Sequence, residues 1–288
     1  MSATIVQLAQ GSQEWHAHRA KYRNASETPA VLGVSPWVTP YQLWQQRTGR
    51  ATQDVNFAMM RGTQLEPAAR AAYEQLTGHV MQPLVLVEGD YSASLDGMTL
   101  DASLIVEIKC PVKGRDSDLW KQVCDGKLPE HYYWQVQHQL MVSGAEVAHL
   151  YVFDGTEGVL LEQEAKPADW RVLRDAWDRF VQHLGSNTPP ALTERDVVER
   201  VDEEWRVAAT CYRNLKVEAD AASERLESAK KRLVALAKHN SERGCGIAVA
   251  RFWKAGAIDY KRVPQLQGTD LEQFRSPPRL ESRVTMIV

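Results

Sequence analysis

A two-residue alternation of apolar and polar side chains runs through residues 104–110 and predicts a half-buried β-strand. Three of its side chains are expected to enter a core: Val106, Ile108 and Cys110. Glu107 and Lys109 then share the opposite face, because successive side chains of a strand point to opposite sides of the sheet. One face of this strand is predicted to pack, and the other is free for chemistry.

The segment just before it, residues 91–95, predicts a second strand that pairs antiparallel with the first. Gly97 is expected to loosen the turn between them. The antiparallel return of the chain then sets Asp96 beside Glu107. Two carboxylates and the amine of Lys109 then share one pocket.

Helical spacing of apolar residues predicts the helices that accompany these strands. Helices are expected over residues 41–48, 63–77, 129–143 and 168–184, and short helices are expected to begin at Ser12 and Ser26. Strand-like runs cover residues 80–87, 149–153 and 158–163. Pro83 in the first run predicts an edge strand, because proline cannot donate to a sheet ladder. These elements predict an α/β domain over residues 1–190 that ends in a linker at 185–190.

A heptad pattern predicts one long helix over residues 200–240 of a C-terminal extension, residues 191–288. Apolar or small residues recur every seven positions, each followed three residues later by another: Trp205, Tyr212, Ala219, Leu226 and Leu233. This seam predicts packing against another helix, of the same chain or of a neighbouring subunit, and excludes a lone exposed helix. Runs at 247–253 and 258–263 predict a β-hairpin over residues 245–263, followed by a tail.

Composition restricts the class of protein further. The chain has 288 residues, 44% hydrophobic and 25% charged, with a formal net charge of -3. This charge argues against a protein that coats nucleic acid nonspecifically, so any nucleic-acid binding must come from local clusters of basic residues. The four cysteines have no metal-like spacing, so zinc is not expected. No export signal and no run of about 18 apolar residues is present, so we expect a cytoplasmic protein, bacterial or in a phage-infected host, without membrane contact.

The predicted pocket of acids suits a hard divalent cation. Carboxylate oxygens are ligands that Mg²⁺ prefers, and the backbone carbonyl of Ile108 is a further candidate ligand. Lys109 is placed to orient or deprotonate an attacking water, as in metal-assisted phosphodiester hydrolysis. The alternative is a solvated strand face with alternating Glu and Lys beside an Asp-Gly turn.

Six motifs in order show a resemblance to a known family. They are Trp15-His-x-x-Arg19, Ala25-Ser-Glu27, Gly62-x-x-Leu-Glu66, Ser94-x-Asp-Gly97, Glu107-Ile-Lys-Cys-Pro111 and Tyr133-x-Gln-Val-Gln137. Over residues 10–185 the chain resembles the YqaJ-type viral recombinases of the phage lambda exonuclease family, within the PD-(D/E)xK nuclease superfamily. Residues after about 190 have no counterpart in the best-known member.

The resemblance implies a restriction-endonuclease-like α/β core, a mixed central sheet flanked by helices, to which the C-terminal helix and hairpin are added. It also implies Mg²⁺-dependent 5′-to-3′ degradation of linear double-stranded DNA, with 5′-mononucleotides and a 3′-tailed strand as products. Two metal ions, a ring-shaped homotrimer and a single-strand annealing partner belong to the same expectation, with Mn²⁺ as a possible substitute.

The resemblance also assigns site residues. Asp96 and Glu107 match metal ligands, Lys109 the catalytic lysine, Gln135 a glutamine beside the nucleophile, and Glu66 a further acid near the second metal. For Glu66 the alternative is a capping box that begins at Thr63.

A second group matches DNA-binding positions of the family. Arg19 and Ser26 match residues that hold the 5′-phosphate, a role suited to a guanidinium fork and a hydroxyl, and Ser94 is expected to join them. Met59 or Met60 is a candidate wedge between terminal bases, with core filling as the alternative. His131 and His138 are interpreted as solvated or internally bonded helix histidines rather than phosphate ligands.

Two other functions remain open on the same residues. An endonuclease or resolvase built on this core would cut closed circular duplex, whereas an exonuclease would not. A catalytically inactive module would bind DNA ends without turnover.

Overall fold

The computed structural model describes residues 3–52, 57–254, 256 and 263–266. The chain divides into two compact units, Met1–Val197 and Val198–Val288. The strands of the first unit are β1 Thr4–Val6, β2 Arg23–Asn24, β3 Gln82–Glu88, β4 Tyr91–Met98, β5 Leu104–Lys109, β6 Val147–Phe153 and β7 Gly158–Glu164. Its helices are α1 Gln13–Arg19, α2 Thr28–Val31, α3 Pro40–Arg47, α4 Phe57–Thr77, α5 Asp118–Cys124, α6 Glu130–Ser143 and α7 Pro167–Gly185.

The first unit is built on one mixed sheet with strand order β1-β3-β4-β5-β6-β7, and the short β2 lies beside β4. β5 runs parallel to β6, and β2 runs parallel to β4. The remaining neighbours are antiparallel. This is the mixed α/β architecture that the family resemblance implies.

Separate hydrophobic clusters cover the two faces of the sheet. Helices α6 and α7 pack on one face, where Leu140 and Trp177 meet Leu95 and Ile105. On the other face Tyr73 of α4 joins a cluster that contains Val106, Ile108 and Tyr151, with Cys110 at its margin. Burying a side chain of this size contributes about 1.5–3 kcal/mol, so these clusters hold β4 and β5 in place. The predicted inward face of β5 is confirmed.

Strands β4 and β5 pair only at their shared end, where Gly97 faces Val106 and Met98 faces Ile105. Gly97 lies inside β4, so the prediction that it loosens the turn is wrong. A Cβ on Gly97 would lie 2.7 Å from Cβ of Met81, which explains the glycine by close packing. Beyond this pairing the strands separate and form a fork.

Two further predictions are wrong because short elements went unrecognised. β1 pairs with β3, so the strand with Pro83 is not an edge; the three-residue β1 is too short to give a pattern. Pro83 lies at a register shift between β3 and β4, where its missing N–H is tolerated. Ser26 does not begin a helix but lies within a 3-10 turn, Ala25–Glu27.

Helix α4 begins at Phe57, ahead of the predicted start, and Thr63 is an interior residue whose hydroxyl donates to the Met59 carbonyl. The capping-box interpretation of Glu66 is therefore wrong. Ser12 does cap α1, since its side chain accepts from the backbone N–H of Trp15. The predicted helices over 41–48, 129–143 and 168–184 correspond to α3, α6 and α7.

The second unit contains one long helix, α8 Glu203–Leu236, capped by Asp202, and a hairpin of β8 Ser241–Gly244 and β9 Ile247–Ala250. β9 pairs with the segment before it, which the sequence did not predict. Residues 258–262 of the predicted partner strand lie outside the described residues, so that pairing stays a prediction. Among the described residues, α8 has no buried side chain. None of the described residues covers its seam, and packing against a helix of this chain or of a neighbouring subunit stays a prediction.

None of the helices in the described residues is long and apolar enough to cross a membrane.

Candidate active site

Two acidic side chains face each other where β4 and β5 separate. Asp96 Oδ2 accepts a 2.7 Å hydrogen bond from the backbone N–H of Ile108, and Glu107 is only 3% exposed. Within an extended strand the N–H and C=O of one residue point to the same side, so the carbonyl of Ile108 also faces Asp96 beyond the end of the ladder. The predicted juxtaposition of Asp96 and Glu107 is therefore present.

The carboxylate of Glu107 is held by three donors. Its Oε1 accepts from Lys109 Nζ and, at 2.6 Å, from Gln135 Nε2. Its Oε2 accepts from Gln139 Nε2, a side chain that is 1% exposed. Gln135 was predicted from the sequence and Gln139 was not, although a spacing of four residues places both on one face of α6. Donors from two elements, β5 and α6, thus fix one acid.

Glu66 reaches the same site from α4. Arg70, one helical turn later, donates from Nη2 to Glu66 Oε1 and from Nε, at 2.6 Å, to the backbone carbonyl of Asp96. Arg70 therefore ties α4 to β4 and holds Glu66 near the two strand acids. Sequence reasoning missed this arginine because its second partner is distant in the chain.

Burial and like charges raise pKa values in this cluster. The pKa of Asp96 is raised well above its usual value, first by burial and then by Glu107, with a smaller contribution from Glu66. Burial also raises the pKa of Glu66, against the opposing effect of Arg70. Burial alone would lower the pKa of Lys109, but Glu107, Tyr132 and Asp96 raise it above its usual value. Negative charge is thus concentrated at the fork beyond what one amine balances.

The donors at the fork suit a hard divalent cation. Carboxylate oxygens and a free backbone carbonyl are the ligands that Mg²⁺ and Mn²⁺ take, and the raised pKa of Asp96 is the mark of crowded acids that a cation would relieve. As they stand, the described residues contain no group of three or more His, Cys, Asp or Glu side chains arranged around one metal position. Glu107 is engaged by Lys109 and Glu66 by Arg70, and both contacts must loosen for shared ligation.

A second polar cluster holds the expected phosphate-binding residues. Arg19 Nη2 donates to Ser26 Oγ at 3.0 Å and to Glu27 at 3.3 Å. Ser94 is joined indirectly, because its Oγ accepts from Trp15 Nε1 at 3.0 Å and the Arg19 guanidinium lies 4.7 Å from the Trp15 ring. The structure therefore brings Arg19 and Ser26 into contact and links Ser94 to them through Trp15.

The remaining candidates are placed as follows. His138 is fully buried and bonds Thr28, as the internally bonded interpretation predicts, and His131 lies half-buried against Trp37. Met59 and Met60 are 42% and 49% exposed, so their interpretation as core filling is wrong.

Comparisons with known proteins agree with this arrangement. Residues 14–146 match the model of the YqaJ-like viral recombinase domain. The uncharacterized protein YqaJ of Bacillus subtilis (strain 168) is 29% identical over 145 residues, which are 48% of this chain and 44% of that protein. The chain thus spans less than half the length of this curated relative.

Two similar crystal structures are of an alkaline exonuclease, LHK-Exo from Laribacter hongkongensis, alone and in complex with dAMP. The first is 27% identical and the second 25%; both have a TM-score of 0.51 and cover 62% of this chain and 94% of theirs. The likeness confirms the restriction-endonuclease-like core. The fork and its acids therefore lie within residues 14–146, the part of the chain that matches the YqaJ-like viral recombinase domain.

Proposed function

We propose that the protein is a Mg²⁺-dependent 5′-to-3′ exonuclease that degrades one strand of linear double-stranded DNA. It releases 5′-mononucleotides and leaves a 3′ single-stranded tail for annealing-type recombination. The observation that carries the proposal is the convergence of Asp96, Glu107 and Lys109 at the fork of β4 and β5. The likeness to LHK-Exo, an alkaline exonuclease also crystallised with dAMP, supports it.

In this proposal one or two Mg²⁺ ions would be held by Asp96, Glu107, Glu66 and the carbonyl of Ile108, and Mn²⁺ would substitute for them. Such ions lower the pKa of a bound water and neutralise charge on the scissile phosphate. Gln135 and Gln139 fix the orientation of Glu107, so its oxygens need no rearrangement during the reaction.

Lys109 is the candidate group for orienting the attacking water. Its amine donates to Glu107, and that carboxylate raises the pKa of the amine against the effect of burial, so the amine is protonated and donates in the resting protein. When this contact loosens, the amine of Lys109 would be free to donate to water and to a phosphate oxygen. Lys109 then holds the nucleophile and the phosphate oxygens in line.

Recognition of an end makes the reaction exonucleolytic. Arg19 and Ser26, with Ser94 behind Trp15, are proposed to hold the terminal 5′-phosphate. A charge-assisted guanidinium contact to phosphate is strong and directional. A terminal phosphate held at a fixed distance from the acids sets the first internucleotide bond in position for attack.

Three further parts of the proposal depend on the family resemblance. The exposed Met59 or Met60, ahead of Glu66 on α4, is proposed to separate the terminal base pair. A ring-shaped homotrimer would encircle the duplex. A single-strand annealing protein would take up the 3′ tail.

The test is incubation of purified protein with linear and closed circular duplex of the same sequence. An exonuclease releases nucleotides from the linear DNA with Mg²⁺ and leaves the circle intact. Cutting of the circle would favour an endonuclease or resolvase instead, and binding of ends without release would indicate an inactive module.

A further inference from the structure

Trp37 is a large aromatic side chain that stands out from the surface of the first unit, 64% exposed, in the loop between α2 and α3. Single exposed hydrophobic residues are common on proteins and need no explanation by themselves. The loop that carries this one and the groups beside it set it apart.

The Trp37 loop is held by a dense set of hydrogen bonds. Ser35 Oγ accepts from the backbone N–H groups of Trp37 and Val38, both at 3.2 Å. Arg195 donates to the carbonyl of Ser35 at 2.6 Å and to that of Pro36 at 2.7 Å. The indole is therefore presented on a fixed backbone, which lowers the entropy lost when a ligand orders it.

A chain of aromatic rings leads from this indole to the proposed catalytic amine. The Trp37 ring lies 4.9 Å from that of His131, at an interplanar angle of 86°, and 6.1 Å from that of Tyr132. The Tyr132 ring in turn lies 5.2 Å from Lys109 Nζ. Only the ring of Tyr132 thus lies between Trp37 and Lys109. Because the indole packs perpendicular to His131, at least one of its faces stays open.

A nucleotide spans a similar gap between its phosphate and its base. If the phosphate lies at the fork, the base of the same nucleotide lies about one sugar ring away from it. This distance is comparable to the width of the Tyr132 ring. An aromatic face at that distance is a stacking platform, because every nucleobase has a π-face and stacking tolerates any sequence. A protein partner would bury Trp37 equally well, but it gives no reason for the indole to stand beside the catalytic amine.

We propose that Trp37, backed by His131, stacks on the base of a nucleotide that flanks the scissile phosphate. The inference rests on the proposed function and extends it, since it adds a base subsite to the phosphate contacts of Arg19 and Ser26. Stacking of this kind leaves the reaction independent of sequence while it fixes the unpaired strand.

The test combines variants of Trp37 with DNA that lacks one base. Binding of 5′-phosphorylated duplex is measured by fluorescence anisotropy in EDTA, with an abasic site at the first nucleotide, at the second, or at neither. Trp37→Ala is expected to bind intact DNA about tenfold more weakly than wild type, as a lost base–aromatic stack predicts. Trp37→Phe keeps most of the affinity, and Trp37→Leu does not.

The DNA with an abasic site distinguishes the loss of a base stack on Trp37 from a general loss of DNA affinity. At one of the two positions, the abasic site should weaken wild-type binding and abolish the difference between wild type and Trp37→Ala. Equal binding by Trp37→Ala and wild type, or the same loss on all three DNAs, overturns the inference. Trp253→Ala, which removes a fully exposed tryptophan of the second unit, is the matched control.

The two proposals fail in different ways. If the wild-type protein releases no nucleotide with Mg²⁺, the exonuclease proposal fails, while the binding comparison still decides the role of Trp37. If it degrades DNA and Trp37→Ala has wild-type affinity and wild-type KM, only the stacking inference fails.

Discussion

The backbone N–H of Ile108 donates to the carboxylate of Asp96 at 2.7 Å, at the point where β4 and β5 stop pairing. A side-chain oxygen here replaces the backbone partner that a continued ladder would supply. The acid is therefore positioned by the sheet itself rather than by a mobile loop. Sites carried on regular elements hold their geometry more precisely than sites on loops.

Loss of the Lys109 amine tests its proposed role with the nucleophile. Lys109→Ala should bind linear duplex with wild-type affinity and cleave it about 10²–10⁴-fold more slowly, the usual contribution of a positioned proton-transfer or orienting group. Single-turnover cleavage and equilibrium binding measure the two effects separately. Lys238→Ala, which removes an exposed lysine, should change neither. A matching loss of binding in Lys109→Ala would assign the amine to DNA recognition instead.

Gln139 is expected to act on the metal through Glu107. Gln139→Leu keeps the approximate side-chain volume but removes the donor to Oε2, so Glu107 loses a fixed orientation. The Mg²⁺ concentration for half-maximal cleavage should rise about 10–100-fold, with DNA affinity unchanged. Gln182→Leu, on the exposed side of α7, serves as the control. An unchanged Mg²⁺ dependence in Gln139→Leu would show that this glutamine does no more than fill space.

Arg19 should determine the preference for phosphorylated ends. Glu27 keeps Arg47 as a partner when Arg19 is removed, so Arg19→Ala should fold normally. The variant is expected to lose about tenfold or more of kcat/KM on 5′-phosphorylated DNA and little on 5′-hydroxyl DNA, as expected for one charge-assisted contact. Lys21→Ala, an exposed charge two residues away, should retain the preference. A similar loss on both kinds of end would contradict a terminal-phosphate site.

The ionised carboxylate of Asp96 should lower the free energy of unfolding when no cation is present. Burial, then Glu107, raise its pKa above the ordinary 3.8, so the unfolded chain releases this proton at a lower pH than the folded chain. Stability without metal therefore declines as pH rises from 3.8 through the folded value. Asp96→Asn removes this loss and, near pH 8, should raise Tm in EDTA by about 2–4 °C for each kcal/mol gained.

The same variant should no longer be stabilised by Mg²⁺, whereas the wild type should be. Asp90→Asn, at a carboxylate that is 81% exposed, is the control for the charge change. A lower Tm for Asp96→Asn in EDTA would show that the acid stabilises the fold rather than strains it.

His138 should make the core sensitive to acid. Burial, with Arg174 next, lowers the pKa of His138 from 6.5 to about 3. Below pH 6.5 the imidazole binds a proton in the unfolded chain but not in the folded chain. The free energy of unfolding therefore falls between pH 6.5 and 3, by roughly several kcal/mol at the lower limit. Denaturant unfolding of His138→Gln should lose this component of the pH dependence, unlike that of His79→Gln. Parallel curves for wild type and His138→Gln would contradict the assignment.

Local patterns in the sequence predicted the parts of the site that depend on one strand. The alternation of apolar and polar residues predicted that Glu107 and Lys109 share one face of the strand. The short antiparallel connection predicted that Asp96 lies beside Glu107. The same patterns failed at Gly97, where the packing of Met81 decides the residue, and at Pro83, where the short β1 removes an edge.

Contacts between distant segments could not be predicted in this way. Gln139 donates to the carboxylate of Glu107, and Arg70 donates to the backbone carbonyl of Asp96. Both partners are distant in the chain, although helical spacing from Gln135 and Glu66 puts each donor on the correct face. Trp37 carried no signal in the sequence, because its place beside His131 and Tyr132 depends on how the loop between α2 and α3 packs against α6.

The most direct test of the central claim follows nucleotide release from linear duplex DNA carrying a 5′-³²P label. With Mg²⁺, the account predicts a labelled 5′-mononucleotide as the first product, no product in EDTA, and none from Glu107→Gln at equal protein concentration. Release of label in EDTA, or undiminished release by Glu107→Gln, would contradict a metal-dependent nuclease centred on the fork of β4 and β5.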